Sequence, residues 1–441
     1  MSGRLIVFYD PSFPAAEAAG LPASAAALNA FDAVCSAEDL AEALASSGGQ
    51  GASFVNLHSP YFPKSAWRAI LDFLRNGGGL VSVGGAPFKR PVRKEDGAWV
   101  VEHEQTAYHQ QLHIHEVLPV DSGRVDHLIA SDVIPLMESS RERLTVSDTW
   151  NLVPHVTKSS DLPHQMGSAG PMDTRIYPLL KGSTANGREV AAPVVLWENV
   201  GGPFLGGRWL FVNQPLTASF WEQDGGAEVR RWAAFCAKGI TELWIKPNYA
   251  TYESGERAIL TLQAQRLGRG LQVHEPQSWT FRISVKHDGD ESSEWNHTVT
   301  VDVTGQFYVQ RIPVALDIKP GAYRVVCEAE GPDGEIRRLR QGFWGADPQL
   351  LQAGSPVTCN RDYFIKDGRP MPVVGMTYMT SDVARKFLFL PNTDVWDRDM
   401  AQMRGPASTG SAPAFGPLIA ILCRWTGMHP RRLCVRLTPS C

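Results

Sequence analysis

The chain has 441 residues, 43% of them hydrophobic and 20% charged, with a formal net charge of −4. That length is more than one ordinary core uses, so about two to three domains are expected. The charge balance excludes the basic footprint of a nucleic-acid binder. No apolar run reaches a membrane span, so no membrane partner is expected. The seven cysteines include no CxxC pair, which argues against a zinc site or a disulfide framework.

The first apolar run, Leu5–Tyr9, is too short for a secretory h-region and leads straight into polar and proline residues. It reads as a buried strand, and a cytoplasmic location follows as the default. A helix is predicted over Ala37–Ser46, a strand over Ala52–Leu57 and a loop over His58–Pro63. Lys64–Arg75 carries Trp67, Ile70, Leu71 and Leu74 on one helical face, is stopped by Asn76–Gly79, and is followed by the strand Leu80–Val83. Strand–helix–strand alternation with short connections predicts an α/β doubly wound parallel sheet.

The stretch VNLHSPYFPKSAWRAILDFLRNGGGLVSVGGAPF, residues 55–88, resembles class I glutamine-amidotransferase-like domains. An active amidase of that class carries a cysteine on a sharp strand-to-helix turn flanked by glycines. Cys35, in Ala-Val-Cys-Ser-Ala, has no such flanks, and the Gly84-Gly85-Ala86 turn holds neither Ser nor Cys. The resemblance therefore implies a structural copy of the fold without a nucleophile. Strands over 186–197 and Gly207–Asn213, with a helix over Glu228–Lys238, complete a domain expected at 1–243. His113 and His115, alternating along a predicted strand near His103 and His109, invite a metal reading; no further ligand has regular spacing, so no metal and no cofactor are expected.

Period-two alternation takes over after Pro247: Ile259–Leu262, Trp279–Val285, Thr298–Val303, Phe307–Val314, Tyr323–Ala329 and Arg338–Trp344, separated by turn signals such as Gly331-Pro-Asp-Gly334. Short strands at this spacing predict an Ig-like β-sandwich at 244–350. Ile318-Lys-Pro-Gly-Ala-Tyr-Arg-Val-Val resembles a strand of the bacterial Ig-like modules found beside glycosidase barrels, and the bland role, a rigid spacer, is expected.

Residues 355–403 begin with Phe364–Lys366 and Met371–Val374 around Asp367-Gly368, a strong hairpin signal. The segment Cys359–Tyr378 resembles the start of clan-A glycoside hydrolases, the group that includes β-galactosidases. That resemblance implies the first βα unit of an incomplete (β/α)8 barrel, with Val373–Tyr378 as its first strand. Tyr378 and Arg385 would then reach the face where barrels keep their active sites and touch a carbohydrate substrate. A helix capped by Asn392 or Thr393 follows, with Val395, Trp396, Met400 and Met403 on its apolar face and Asp394, Asp397 and Asp399 favourable near its N-terminus or on a solvated face.

Composition breaks at Arg404. Residues 404–441 hold no Asp, Glu or Lys, yet five arginines and three of the seven cysteines. A linker of small residues is one reading and an out-of-frame tail the other. If the true frame starts one base before each codon, Trp425-Thr426 forces an aspartate and Met428-His429 an alanine. The stretch from Trp425 then permits an acidic, amphipathic helix. The tail is accordingly expected to be poorly packed.

Retaining glycoside hydrolysis uses two carboxyl groups about 5 Å apart, carried in clan-A barrels by glutamates at strand ends. No carboxylate in 355–403 matches either, so no catalytic residue is assigned here. The expectation is a truncated, β-galactosidase-like glycoside hydrolase that is itself inactive. The alternative is a non-catalytic carbohydrate-binding or homo-oligomer assembly module. In some β-galactosidases an amidotransferase-like domain mediates oligomer contacts, but there it follows the barrel and here it comes first.

Overall fold

The computed structural model describes residues 3–16, 20–154, 173–288, 290–353, 356–371 and 392–407. By internal contacts the chain divides into two units.

The first unit spans Met1–Glu242 and includes the loops Gln265–Pro276 and Val303–Gln306. These loops join the first unit although they lie inside the stretch read as sandwich; the Arg269 amide donates to Gln50 Oε1, and Gly305 donates to the Val273 carbonyl. In chain order the unit contains β1 (Arg4–Phe8), β2 (Ala33–Cys35), α1 (Leu40–Ser47), β3 (Ala52–Asn56), β4 (Tyr61–Pro63), α2 (Trp67–Arg75), β5 (Gly79–Val83), β6 (Arg90–Glu95) and β7 (Ala98–Val101). Then come α3 (Thr106–Gln110), β8 (Ile114–Val120), β9 (His127–Ala130), β10 (Thr149–Pro154), β11 (Thr174–Ser183), β12 (Glu189–Asn199), β13 (Arg208–Val212), α4 (Ala218–Glu222) and α5 (Gly225–Ala237).

Eight of these strands form one sheet in the order β2-β1-β3-β5-β13-β12-β11-β9. The pairs from β2 through β13 are parallel, and β13-β12-β11-β9 continue antiparallel. The parallel strands are apolar runs rather than alternating ones because both of their faces are buried. Leu5 and Val7 of β1, Val81 and Val83 of β5, and Leu210 and Val212 of β13 face one core layer, closed by Val229, Trp232 and Ala233 of α5. Ile6, Phe8, Phe54, Leu80 and Phe211 face the other, closed by Leu40 and Leu44 of α1 and Ile70 and Leu74 of α2. Helices on both faces keep the parallel strands from water.

Gly226 marks how tightly α5 is seated, since a Cβ there would lie 1.9 Å from the Ala27 carbonyl oxygen. Backbone cannot yield as a side chain does, so Gly226→Ala should destabilise the unit by roughly 1–3 kcal/mol, the usual cost of overpacking. Urea unfolding followed by tryptophan fluorescence checks this, and an unchanged midpoint would show that α5 has slack.

The second unit holds β14 (Ile240–Pro247), whose start lies in the first, β15 (Thr251–Tyr252), β16 (Ile259–Leu267), β17 (Gln277–His287), β18 (Asp290–Val303), β19 (Tyr308–Pro313), β20 (Gly321–Glu330) and β21 (Ile336–Gly345). They form a three-stranded sheet, β14-β16-β19, and a five-stranded one, β15-β21-β20-β17-β18. Alternation along β17 buries Trp279, Phe281, Ile283 and Val285, and β20 adds Val325, Cys327 and Ala329. Tyr323 stacks on Phe343 with ring centroids 4.7 Å apart.

The short helix α6 (Pro348–Gln352) leads to a small sheet of β22 (Thr358–Cys359), β23 (Phe364–Lys366) and β24 (Arg369–Met371). Asp367 and Gly368 turn the hairpin with φ of 52° and 75°, the left-handed pair that a two-residue connection needs. Helix α7 (Thr393–Ala407) packs on β21. Asn392 caps it by accepting from the Val395 amide at 3.4 Å while its Nδ2 donates to the Arg340 carbonyl. Val395 and Trp396 are buried, as the apolar face required. Asp399 departs from its expected solvated position and is buried with them, whereas Asp397 is exposed and Asp394 lies 4.0 Å from Arg324. The helix runs through Arg404–Ala407, past the composition break; the rest of the tail lies outside the described residues.

Candidate functional site

In doubly wound sheets ligands bind outside the carboxyl ends of the parallel strands, where the strand order reverses. Here β1 and β3 are neighbours on either side of that reversal. The edge is formed by Tyr9-Asp10 after β1, Leu57–Pro60 after β3, Gly84-Gly85 after β5 and Asn213-Gln214 after β13.

His58 is fully buried at this edge. Its Nε2 accepts from the Asp10 amide at 3.1 Å and its Nδ1 donates to the Pro14 carbonyl at 3.1 Å, a pairing that sets the tautomer. Its own amide donates to Asn56 Oδ1. The ring is walled by Phe8 and Phe13, with centroids 4.5 and 5.4 Å away. Burial pushes the imidazole from its ordinary 6.5 down to about 4; the Pro14 carbonyl and the Asp10 charge pull the other way and lose. Burial would raise the Asp10 carboxyl, but hydrogen bonds from Ser12 and the Ala37 amide outweigh it and hold the group below its usual range. The carboxylate bonds to Ser12 and Ala37, and both ring nitrogens bond to backbone. His58 and Asp10 are thus not arranged as a base and its orienter, which requires an imidazole–carboxylate bond and an open face.

The turn after β5 is built for backbone contact. Gly84 and Gly85 have φ of 116° and 156°. A Cβ on Gly84 would meet the Ser59 carbonyl oxygen at 2.5 Å, and the Trp150 ring covers Gly85. Ser59 Oγ donates to the Gly85 and Ala86 carbonyls. Beside the turn, Asn213 accepts at its carbonyl from Thr149 Oγ1 and the Trp150 amide, while its buried side-chain amide has no hydrogen-bond partner. Among the described residues the chain's own loops cover this edge, and the Gly84-Gly85-Ala86 turn holds neither Ser nor Cys. Cys35, at the end of β2, is buried, and burial raises its thiol, with Asp39 adding to the effect. A neutral, enclosed thiol is unreactive.

Of the histidines that invite a metal reading, His109 and His115 lie near enough to interact by charge. His113 has φ of 63° and precedes β8, so strand alternation with His115 does not apply to it. His109 lies on α3 with its ring buried and neither nitrogen hydrogen-bonded. Among the described residues no three His, Cys, Asp or Glu side chains are grouped to hold a metal ion. Tyr378 and Arg385 lie outside the described residues. His58, which sequence reasoning placed only in a loop, is a buried polar group at the edge with both ring nitrogens hydrogen-bonded.

No family model and no curated protein matches this chain. Among solved structures it is similar to the sporulation control protein Spo0M from Bacillus subtilis, with 15% identity, 27% of this chain and 58% of that chain covered, and a TM-score of 0.18. It is also similar to the alkylpurine DNA glycosylase AlkC of Pseudomonas fluorescens, with 13% identity, 28% and 39% covered, and a TM-score of 0.18. A third is the superoxide reductase (neelaredoxin) from Ignicoccus hospitalis, with 8% identity, 24% and 79% covered, and a TM-score of 0.17. The alignments thus span 58% and 39% of the first two proteins, and likenesses this weak carry no argument about fold or function. No described helix is long and apolar enough to cross a membrane.

Proposed function

We propose that this chain is the N-terminal portion of a cytoplasmic, multidomain glycoside hydrolase of the β-galactosidase-like kind, translated out of frame from about Arg404 and inactive on glycosides by itself. The carrying observation is the juxtaposition of the Tyr363–Tyr378 barrel-like motif with the abrupt loss of Asp, Glu and Lys after Met403. In support, Tyr363 and Phe364, at the start of that motif, are exposed by 61% and 45%. The first unit fits the same reading, because among its described residues Cys35 is buried and the turn after β5 carries glycines where an amidase would carry its nucleophile.

The test is genetic first. Downstream of codon 403, the alternative frame should run on for several hundred codons and supply glutamates at barrel-strand ends. Early stop codons there would overturn the reading. With the frame restored, the protein should cleave a nitrophenyl glycoside, and the present chain should not. Glycan binding by the present chain without turnover would instead favour a carbohydrate-binding module.

A further inference from the structure

We propose that His58 is a proton-operated clasp that closes the loop Asp10–Pro14 over the carboxyl edge of the sheet and releases it on acidification. The geometry sets the mechanism. Nε2 must be bare to accept the Asp10 amide, and Nδ1 must carry the proton it donates to Pro14. A second proton, on Nε2, would face the Asp10 N–H donor to donor, so the bond is lost and the ring must move. The Asp10 carboxylate, whose charge acts on the ring, now accepts from the Ser12 amide, Ser12 Oγ and the Ala37 amide. Protonation therefore breaks the bond from the Asp10 amide and draws the carboxylate off the Ser12 and Ala37 bonds that shape the loop.

The surroundings leave little else to respond. From the loop after β1 the ring meets Asp10, the Tyr9 phenol ring at 6.5 Å, Phe8 and Phe13. From its own loop the Tyr61 amide donates to the His58 carbonyl. The β6–β7 hairpin contributes Trp99, which packs on Phe13 at 5.1 Å, donates to Ser12 Oγ and carries Lys94 5.2 Å above its ring. Loosening Asp10–Pro14 thus frees Trp99 as well, which makes opening visible. Asp10, held below its usual range, stays charged through the interval in which His58 takes up its proton.

Hydrogen exchange of the full chain, corrected for intrinsic rates, tests the clasp. Between pH 6 and 4.5 the opening equilibrium read at the Asp10, Ser12, Phe13 and Ala37 amides should rise about tenfold per pH unit, as one-proton linkage requires. The β5 and β13 amides should stay protected. In His58→Gln, whose amide oxygen can accept from Asp10 without titrating, the slope should vanish; in His109→Leu it should persist. An equal slope in His58→Gln, or pH-independent exchange in the parent, overturns the proposal. Should His58→Gln fail to fold, the ring of the parent can be titrated by NMR. A depressed midpoint with coincident shifts of the Asp10 and Ser12 amides supports the clasp, and an ordinary midpoint without them overturns it.

Discussion

Glu198→Ala should cost the first unit about 3–5 kcal/mol, because it strands a buried guanidinium. Glu198 and Arg208 are paired across β12 and β13, directly opposite one another in the register. Glu198 is 3% exposed and Arg208 1%, and Arg208 Nε lies 3.1 Å from Glu198 Oε1. The guanidinium also donates to the Phe235 carbonyl and lies 4.3 Å from the centre of the Phe235 ring, tying the pair to α5. Those contacts hold the arginine in place after its carboxylate is gone, so it cannot escape to water, and the penalty is the desolvation of an uncompensated charge. The double replacement Glu198→Ala, Arg208→Met should recover much of the loss, since it removes the charge along with its partner. Urea titration of the three variants measures it. A loss below about 1 kcal/mol in the single variant would mean that water or another group compensates the arginine, and the pair would then rank with ordinary surface ion pairs.

That pair was not legible in the sequence. Glu198 and Arg208 each end or begin an apolar run, and nothing in periodicity says that the runs lie side by side. What could be read was local. The run at Leu5 is β1, the Trp67–Leu74 face is α2, and the Trp279–Val285 alternation is β17, because burial on one face or two leaves its period in the residues themselves. The Asp367-Gly368 turn was legible for a different reason, since its backbone demands φ above zero at both positions. Residues 92 to about 240 are harder to read because partners there are distant: β4 pairs with β6 across α2 and β5, and β8 waits for β10 beyond β9.

The site was less legible still. His58 follows a strand in Asn-Leu-His-Ser-Pro, an ordinary loop by composition. Its importance comes from Asp10 and Pro14, which lie 48 and 44 residues earlier. Asn213 ends a strand that could be predicted, but whether its amide would be buried bare depends on Thr149 and Trp150 covering it. Backbone hydrogen bonds across loops leave no periodic trace. Tyr378 and Arg385 are nominated by the family resemblance alone and lie outside the described residues.

Acid should destabilise the first unit between pH 6.5 and about 4, and two histidines set the window. His58 and His109 are both fully buried, and burial lowers each from 6.5 to about 4. For His109 the Lys89 charge adds to the effect, and the Pro87 carbonyl opposes it. The unfolded chain binds these protons first, so above 6.5 neither state is protonated and stability is full. As pH falls towards 4 the unfolded state gains protons that the folded state refuses, and stability drops; below 4 the difference levels off. Each ring contributes on the order of 3 kcal/mol to the fall. Carboxylates act mostly below this interval, Asp10 included, since its group is held down. His109→Leu separates the two contributions. It removes a titrating ring whose nitrogens are bare, so the variant should match or exceed the parent at pH 7. It should lose only about half as much between pH 6.5 and 4, the remainder belonging to His58. Chemical unfolding at half-unit pH steps gives both curves, and parallel curves would show that His109 takes up its proton as readily folded as unfolded.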